Sequence, residues 1–266
     1  MHRIAHLSDL HFGSEDPAIV AALTETLNRD PPDLVAISGD LTLGARSGEF
    51  RAARAFMDGL AAPVLAVPGN HDITPYALME RFLDPYARWR RFIAPETEPV
   101  FQDGCVAVVG LNTARRGGPY LDWSRGRVGR GRLARCEARL AAMPASLTRI
   151  VVAHHPFLPP QGAPGTRVVG GAAAALAAFA RQGVRLVLSG HLHVGDVAVA
   201  AVPASTGGGM SVVLAATATS RRLRGEPNAF NEIRIARDGG VQVLARAWDG
   251  GRWSPLPATV VPAAGV

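Results

Sequence analysis

PVLAVPGNHD, residues 63–72, is a short apolar run that ends in a cluster of side chains able to bind metal or carry protons. Its length, its branched residues and the proline and glycine near its end are those of a buried strand running into a loop. The same pattern recurs in RIAHLSDLH (3–11), LVAISGD (34–40), CVAVVGLNT (105–113), RIVVAHHP (149–156) and RLVLSGHLH (185–193). Helical stripes lie between these runs. Asp16 and Pro17, a cap residue and a first-turn proline, open a stripe of Ile19, Val20, Leu23 and Leu27. Phe50, Ala53, Met57 and Leu60 form a second after Ser47, and Leu133, Cys136, Leu140 and Met143 a third. Ala172 to Gln182, stopped by Gly183, forms a fourth. Strand–helix alternation of this kind predicts an α/β core.

From Met210 onward the helical period vanishes. MSVVLAATA (210–218), NAFNEIRIA (228–236) and VQVLARAW (241–248) read as strands, the last two as a hairpin over Asp238-Gly239-Gly240. No repeat, low-complexity tract or linker interrupts residues 1–266, so one domain is expected. Within it, 210–250 completes the strand layers and 74–101 is a candidate cap insertion. The Pro/Ala-rich tail after Trp253 is expected to trail over the surface.

The composition narrows the class. A chain of 266 residues with 48% hydrophobic and 19% charged residues can bury a core, which argues against disorder and coiled coil. With only Cys105 and Cys136, neither a disulfide scaffold nor a Cys-rich zinc module can be built. The net charge is +6, and all 28 basic residues are arginine, which suits bidentate contacts to phosphate or carboxylate. That charge is compatible with phosphorylated substrates, nucleic acid or anionic lipid and does not choose among them. No apolar run reaches the roughly 18–20 residues of a membrane span. The opening MHRIAHLSDLHFG lacks a cationic region followed by an apolar stretch, so a cytoplasmic location is expected.

Six of the eight histidines, His11, His71, His154, His155, His191 and His193, sit in the clusters that end predicted strands. Asp9, Asp40, Asn70 and Asp72 sit there too. In an open α/β sheet, ligands bind beyond the carboxyl ends of the strands. Segments far apart in sequence would thus deliver imidazole, carboxylate and carboxamide to one crevice, whereas scattered core histidines would not favour strand ends. The donor set contains no thiolate, which suits Mn, Fe, Zn or Co better than a structural zinc site. Seven ligands are too many for one ion and about right for two sharing a carboxylate.

The order DLH (9–11), GD (39–40), GNHD (69–72), HH (154–155) and GHLH (190–193) resembles the calcineurin-like metallophosphoesterases. The match spans residues 3 to 193, and HLSDLHFG is most similar to the bacterial class III cyclic-nucleotide phosphodiesterase branch. The resemblance implies a four-layer αββα sandwich of two mixed β-sheets flanked by helices. It implies two divalent or trivalent transition-metal ions, Mn, Fe or Zn. One would be held by Asp9, His11, Asp40 and His193, the other by Asp40, Asn70, His154 and His191. His71 would face the substrate phosphate as a catalytic residue, and Asp72 would orient it by accepting its other N–H. Two such cations ~3.5–4 Å apart acidify a bridging water and hold phosphate oxygens for in-line attack. The implied substrate is a small phosphodiester, most concretely a 3′,5′-cyclic nucleotide. The alternatives are a lipid-linked phosphoester or pyrophosphate and, in another class, a metal-free scaffold of the same fold. A nucleic-acid partner is disfavoured because no DNA-binding module is appended; a homodimer is compatible with the sequence.

Weaker features remain. Asn112 and Arg115, at the end of CVAVVGLNT, are candidate substrate contacts, with a solvated loop as the alternative. His155 is expected to support the site structurally. The run from Arg125 to Leu140 carries six arginines and reads mainly as a solvated helix face. Between Tyr76 and Phe101 lie six of the sixteen aromatics, interleaved with Arg81, Arg88, Arg90 and Arg91. This segment reads either as an amphipathic helix packed on the body or as a cap offering aromatic faces to the substrate.

Overall fold

The computed structural model describes residues 1–117, 122–200 and 209–261. The first third is a parallel strand–helix repeat: β1 (His2–Leu7), α1 (Pro17–Arg29), β2 (Leu34–Ile37), α2 (Ser47–Asp58) and β3 (Val64–Ala66). Parallel neighbours need a crossover between them, and α1 supplies it, opened by the Asp16 side chain accepting from the Ala18 amide. β1 and β2 pair in parallel from Ile4↔Leu34 to Leu7↔Ile37. Two short helices follow, α3 (Leu78–Leu83) and α4 (Ala87–Phe92). A second alternating series comes next: β4 (Val100–Gln102), β5 (Val106–Leu111), α5 (Arg130–Ala141), β6 (Thr148–Ala153), α6 (Ala172–Arg181) and β7 (Val184–Ser189). The chain closes with β8 (Asp196–Ala200), β9 (Met210–Leu214), β10 (Ala229–Ile235), β11 (Val241–Trp248), β12 (Trp253–Pro255) and β13 (Thr259–Val261).

Among the described residues these strands make two mixed sheets, ordered β12-β11-β10-β1-β2-β3, with β13 also on β11, and β4-β5-β6-β7-β9-β8. Because side chains alternate across a strand, each sheet has two apolar faces to bury. Ile4, Leu34, Val108, Ile150, Leu186 and Val213 fill the space between the sheets. The opposite face of the first sheet, with Leu7, Val35 and Ile37, lies under Leu23 of α1 and Phe50 of α2. That of the second sheet, with Val109, Val151 and Val187, lies under Leu140 of α5 and Phe179 of α6. The layers are αββα, as the sequence implied.

Some elements depart from expectation. The 76–101 segment is two helices rather than one, because Pro85 bars Asp84 from the helical region; Asp84 sits at φ −147° and ψ 75°. Trp89 is fully buried and Tyr86 buried, whereas Tyr76 is 70% exposed. The interleaved arginines are mostly spent internally: Arg81 donates to the carbonyls of Ile73, Thr74 and Arg116, Arg88 pairs with Glu80 at 2.7 Å, and Arg90 with Asp84. The tail does not trail. β12 and β13 both pair antiparallel with β11, and buried Trp253 packs on Phe230 and Trp248 at ring distances of 5.2 and 5.4 Å. Its last residues, 262–266, lie outside the described residues. The arginine-rich face of α5 is only partly solvated, since Arg132 donates to the carbonyls of Asn112 and Ala114 and Arg135 pairs with Glu98 at 3.0 Å. Among the described residues no helix is long and apolar enough to cross a membrane.

Candidate metal centre

Each cluster follows a strand directly. Asp9 and His11 leave β1, Asp40 leaves β2, Asn70 leaves β3, His154 leaves β6, and His191 and His193 leave β7. The first four therefore come from one sheet and the last three from the other, and the loops converge on the seam between them. Five of these residues adopt positive φ: Asp9 at 53°, His11 at 48°, Asp40 at 52°, His191 at 74° and His193 at 61°. The left-handed region is unfavourable for L-residues and persists only where surroundings enforce it. Here they do. The amide of Asp9 donates to Gly39 O at 3.1 Å, that of His11 to Asp40 O at 3.0 Å, and the Thr217 hydroxyl to Asp9 O at 2.6 Å.

Glycines let the loops approach. A Cβ on Gly190 would meet Asp9 Oδ2 at 2.6 Å, and one on Gly69 would meet the Asp40 amide nitrogen at 2.5 Å. Gly39 needs its glycine twice over, with φ +99° and a Cβ position 2.8 Å from His154 Nδ1.

Two half-sites result. In one, His193 Nε2 and His11 Nε2 lie 3.2 and 3.6 Å from Asp9 Oδ1 and 3.2 Å from each other. In the other, His154 Nε2 lies 3.2 Å from both Asn70 Oδ1 and His191 Nδ1. Asp40 Oδ2 stands between them, 3.2 Å from His154 Nε2 and 3.9 Å from His11 Nε2. Three of the rings have their tautomer fixed by a backbone carbonyl that accepts from Nδ1–H: Thr42 O for His11 at 3.2 Å, Ser38 O for His154 at 2.8 Å and Arg222 O for His193 at 2.8 Å. Their Nε2 lone pairs consequently face the centre.

This set fits metal on three counts. Asp9 Oδ1 is buried and makes no hydrogen bond, although such atoms are almost always satisfied. Ring nitrogens facing one another at 3.2 Å repel unless a proton or cation lies between them. Oxygen and imidazole donors without thiolate suit Mn, Fe or Zn. Without a cation, protons take the load. Burial opposes charge on both Asp9 and Asp40, yet the surrounding histidines hold both carboxyls well below the usual range. Burial likewise opposes protonation of His154, but Asp40 pushes it up to about 9.

His71 and His155 lie in the same clusters by distance, but their nitrogens are differently engaged. His155 Nδ1 meets the Thr113 hydroxyl and Nε2 meets Ser124 O, each at 2.7 Å, so neither is free for metal. His155 is a structural support, as expected. His71 gives Nδ1–H to Leu43 O at 2.5 Å and points Nε2 outward, 3.4 Å from Arg222 Nη1.

Two expectations need correction. Asp72 does not orient His71. It accepts from the amides of Leu41, Thr42 and Gly69 and from the Thr42 hydroxyl, at 2.9–3.2 Å. Its role is to tie the β2 and β3 loops together; burial and the nearby Asp40 raise its carboxyl to about 6. Asn112 is fully buried: its Oδ1 accepts from the Ala114 amide and the Tyr86 hydroxyl, and its Nδ2, though without a hydrogen-bond partner, is enclosed, so the side chain does not reach the crevice surface. Arg115 is half-buried and does line a cavity beside His155 and His191. Sequence reasoning missed Ser8, whose hydroxyl donates to Asp9 Oδ2 at 2.6 Å, and also Thr217 and Arg222. Thr217 sits inside a strand-like run and Arg222 in a plain basic stretch, so no local signal marks either.

A sandwich of two mixed sheets with His, Asp and Asn converging at its seam defines a metal-dependent hydrolase. The calcineurin-like phosphoesterase model matches residues 2–195, and the chain belongs to that family. It is 27% identical over 209 residues to a probable cyclic nucleotide phosphodiesterase of Synechococcus, covering 71% of this chain and 72% of the relative. It is 36% identical over 80 residues to a glycerophosphodiester phosphodiesterase of Enterobacter lignolyticus; that stretch is 26% of this chain and spans only 29% of the relative. Among solved structures, a dimetal phosphatase from Danio rerio superposes with a TM-score of 0.67 at 12% identity, covering 99% of both chains. The purple acid phosphatase PPD1 of yellow lupin superposes at 0.72 with 13% identity, covering 96% of this chain and 52% of its own. These two likenesses concern the fold.

Proposed function

We propose that the chain hydrolyses a small phosphodiester at a dinuclear centre held by Asp9, His11, Asp40, Asn70, His154, His191 and His193. The observation that carries this reading is the meeting of two half-sites at one carboxylate, Asp40. Two transition-metal ions, when bound, supply Lewis acidity and bring water to a reactive state near neutral pH. The chain's own groups do the rest. Thr42, Ser38 and Arg222 fix the ligand tautomers through their carbonyls, and Asp72 holds the loops in register. With Nδ1–H given to Leu43 O, His71 would act as the doubly protonated imidazolium, passing its Nε2–H proton to the departing alkoxide and ending as the neutral ring, a role worth roughly 10²–10⁴ in rate. Arg222 lies close enough to join it on a phosphoryl oxygen.

Cyclic 3′,5′-nucleotides are the preferred substrate class, supported by the HLSDLHFG opening and by the Synechococcus relative. A lipid-linked phosphoester or pyrophosphate is the second reading, favoured by exposed Tyr76, Leu78, Met79 and Leu83 just beyond the centre in sequence. Manganese-loaded protein assayed on cyclic nucleotides, glycerophosphodiesters, nucleotide-lipids and bis-p-nitrophenyl phosphate tests both. Turnover of the diesters with two ions per chain is expected. A stoichiometry of one, or no diester hydrolysis, would overturn the proposal.

A further inference from the structure

A cavity of about 720 Å³ opens beside the centre, with His191 and His155 in its lining. Its walls come from the loops after β5, β6 and β7 and from the approaches to α5 and α6. They are built rather than slack. The amide of Arg127 donates to Thr113 O at 2.9 Å, that of Val128 to Gly170 O at 2.8 Å, and that of Gly170 to Gly126 O at 3.1 Å. Gly126 packs so closely that a Cβ there would lie within 2.7 Å of the His155 ring.

The lining is basic, and its arginines differ from the others nearby. Arg132, Arg135 and Arg139 on α5 are each engaged by a carbonyl or a carboxylate. Asp122, the acid in the lining, is held by Arg125 at 2.8 Å and by Ser124. Arg127, Arg130 and Arg167 have no side-chain hydrogen bond or ion pair among the described residues, and Arg127, Arg130 and Arg167 are exposed. Water hydrates these three exposed guanidinium groups, and none is neutralised by a protein partner, so an anion entering the cavity they line would be favoured by all three.

We infer that this cavity receives a second phosphate group of the substrate, next to the phosphodiester cleaved at the centre. This rests on the proposed diester hydrolysis and, within it, shifts the preferred substrate from the plain cyclic mononucleotide to a nucleotide diester carrying a further phosphate. A guanidinium meets a phosphate through two parallel N–H donors, and three of them set around a rim match the charge of a terminal phosphate. The continuity of the cavity with His191 places that group on the same molecule as the scissile diester. A nucleotide bearing two phosphates fills both sites; a plain 3′,5′-cyclic mononucleotide fills only one.

The test compares thymidine 5′-(p-nitrophenyl phosphate) with its 3′-phosphorylated derivative, which differ only in the second phosphate. In the manganese-loaded wild type, the second phosphate is expected to raise kcat/KM by about tenfold or more, the effect of added charge-assisted hydrogen bonds. In the triple variant Arg127→Ala, Arg130→Ala, Arg167→Ala the two substrates should react alike. The corresponding triple lysine variant should recover part of the preference. Calorimetric binding of thymidine 3′,5′-bisphosphate and thymidine 5′-phosphate gives an independent reading, with a tenfold difference in Kd expected in the wild type and none in the triple alanine variant. No preference in the wild type, or a preference that survives in the triple alanine variant, overturns the inference. If neither nucleotide nor bis-p-nitrophenyl phosphate is hydrolysed, the proposed reaction fails, and the binding difference alone decides the cavity's role.

Discussion

Gly69→Ala adds one methyl group where the β3 loop crosses Asp40, and its effect can be worked from contact distances. Gly69 has no positive φ, so alanine meets no backbone penalty there. The new Cβ would stand 2.5 Å from the Asp40 amide nitrogen, 2.7 Å from Asp40 Cγ, and closer still to Oδ1, whereas ordinary contact begins near 3.4 Å. The gap must widen by 0.9 Å at the nitrogen and 0.7 Å at Cγ, and backbone on both sides prevents a cheap escape. Asp40 Oδ1 accepts from the His71 amide at 2.8 Å, and Oδ2 faces His154 at 3.2 Å, so one shift disturbs the shared carboxylate and the catalytic candidate together. Displacement of reacting groups by about 1 Å can cost ~10²-fold in rate, and overpacking typically costs ~1–3 kcal/mol of stability. Hydrolysis of bis-p-nitrophenyl phosphate should fall about a hundredfold, with metal content after gel filtration falling alongside, while circular dichroism stays that of a folded protein. A variant with two ions per chain and activity within about threefold of wild type would refute the steric reasoning and the placing of Asp40 between the half-sites.

Further outcomes follow from other residues. Asp40→Ala should lose both ions by elemental analysis, and with them the rise in melting temperature that metal confers on the wild type. His71→Ala should keep both ions yet lose kcat by roughly two orders, and by less for p-nitrophenolate, which needs no proton; equal losses on good and poor leaving groups would argue against proton donation. Trp89→Ala should cost ~3–5 kcal/mol and harm all substrates alike, since the side chain is fully buried. Exposed Tyr76→Ala should leave the melting temperature unmoved. Burial holds the His6 imidazole down at about 3, against 6.5 in an open chain. The unfolded state therefore takes up a proton first, and metal-free protein should lose stability as pH falls from 6.5 toward 3, by an amount of the order of 5 kcal/mol at most. His6→Gln should flatten that slope in thermal melts, and an unchanged slope would count against burial as the cause.

The strands were readable because each is an apolar run closed by polar residues, and the two-faced burial of β1, β2, β5 and β6 is what makes such runs continuous. The same punctuation exposed Asp9, Asp40 and the histidine pairs, whose spacing survives into the structure. What escaped notice depends on distant partners. The ring of His71 is held by the carbonyl of Leu43, a group every residue possesses, so no side-chain pattern could announce it. Asn112 looked like a crevice residue because it ends a strand, but Tyr86, 26 positions earlier, closes over it. The tail looked like a loose end because proline and alanine dominate it, yet one tryptophan docks it to Phe230 and Trp248. The positive φ values at Asp9 and His11 also lay hidden, since aspartate and histidine are common in ordinary conformations as well.

Because the proposed ligands are divided between the two sheets, the centre gauges how those sheets sit on one another. Val108 and Ile150 lie in the layer between the sheets rather than in the ligand-bearing loops, yet trimming either would let one sheet slide against its neighbour and pull His154 and His191 away from Asp9 and Asp40. Metal affinity would weaken well before the fold gave way. Bound ions would act as rivets, joining positions 9 and 193 across most of the chain and resisting shear that packing alone permits. Substitutions in the apolar seam would accordingly surface as metal-requirement phenotypes, with the excess metal needed for activity recording how far the halves had slipped.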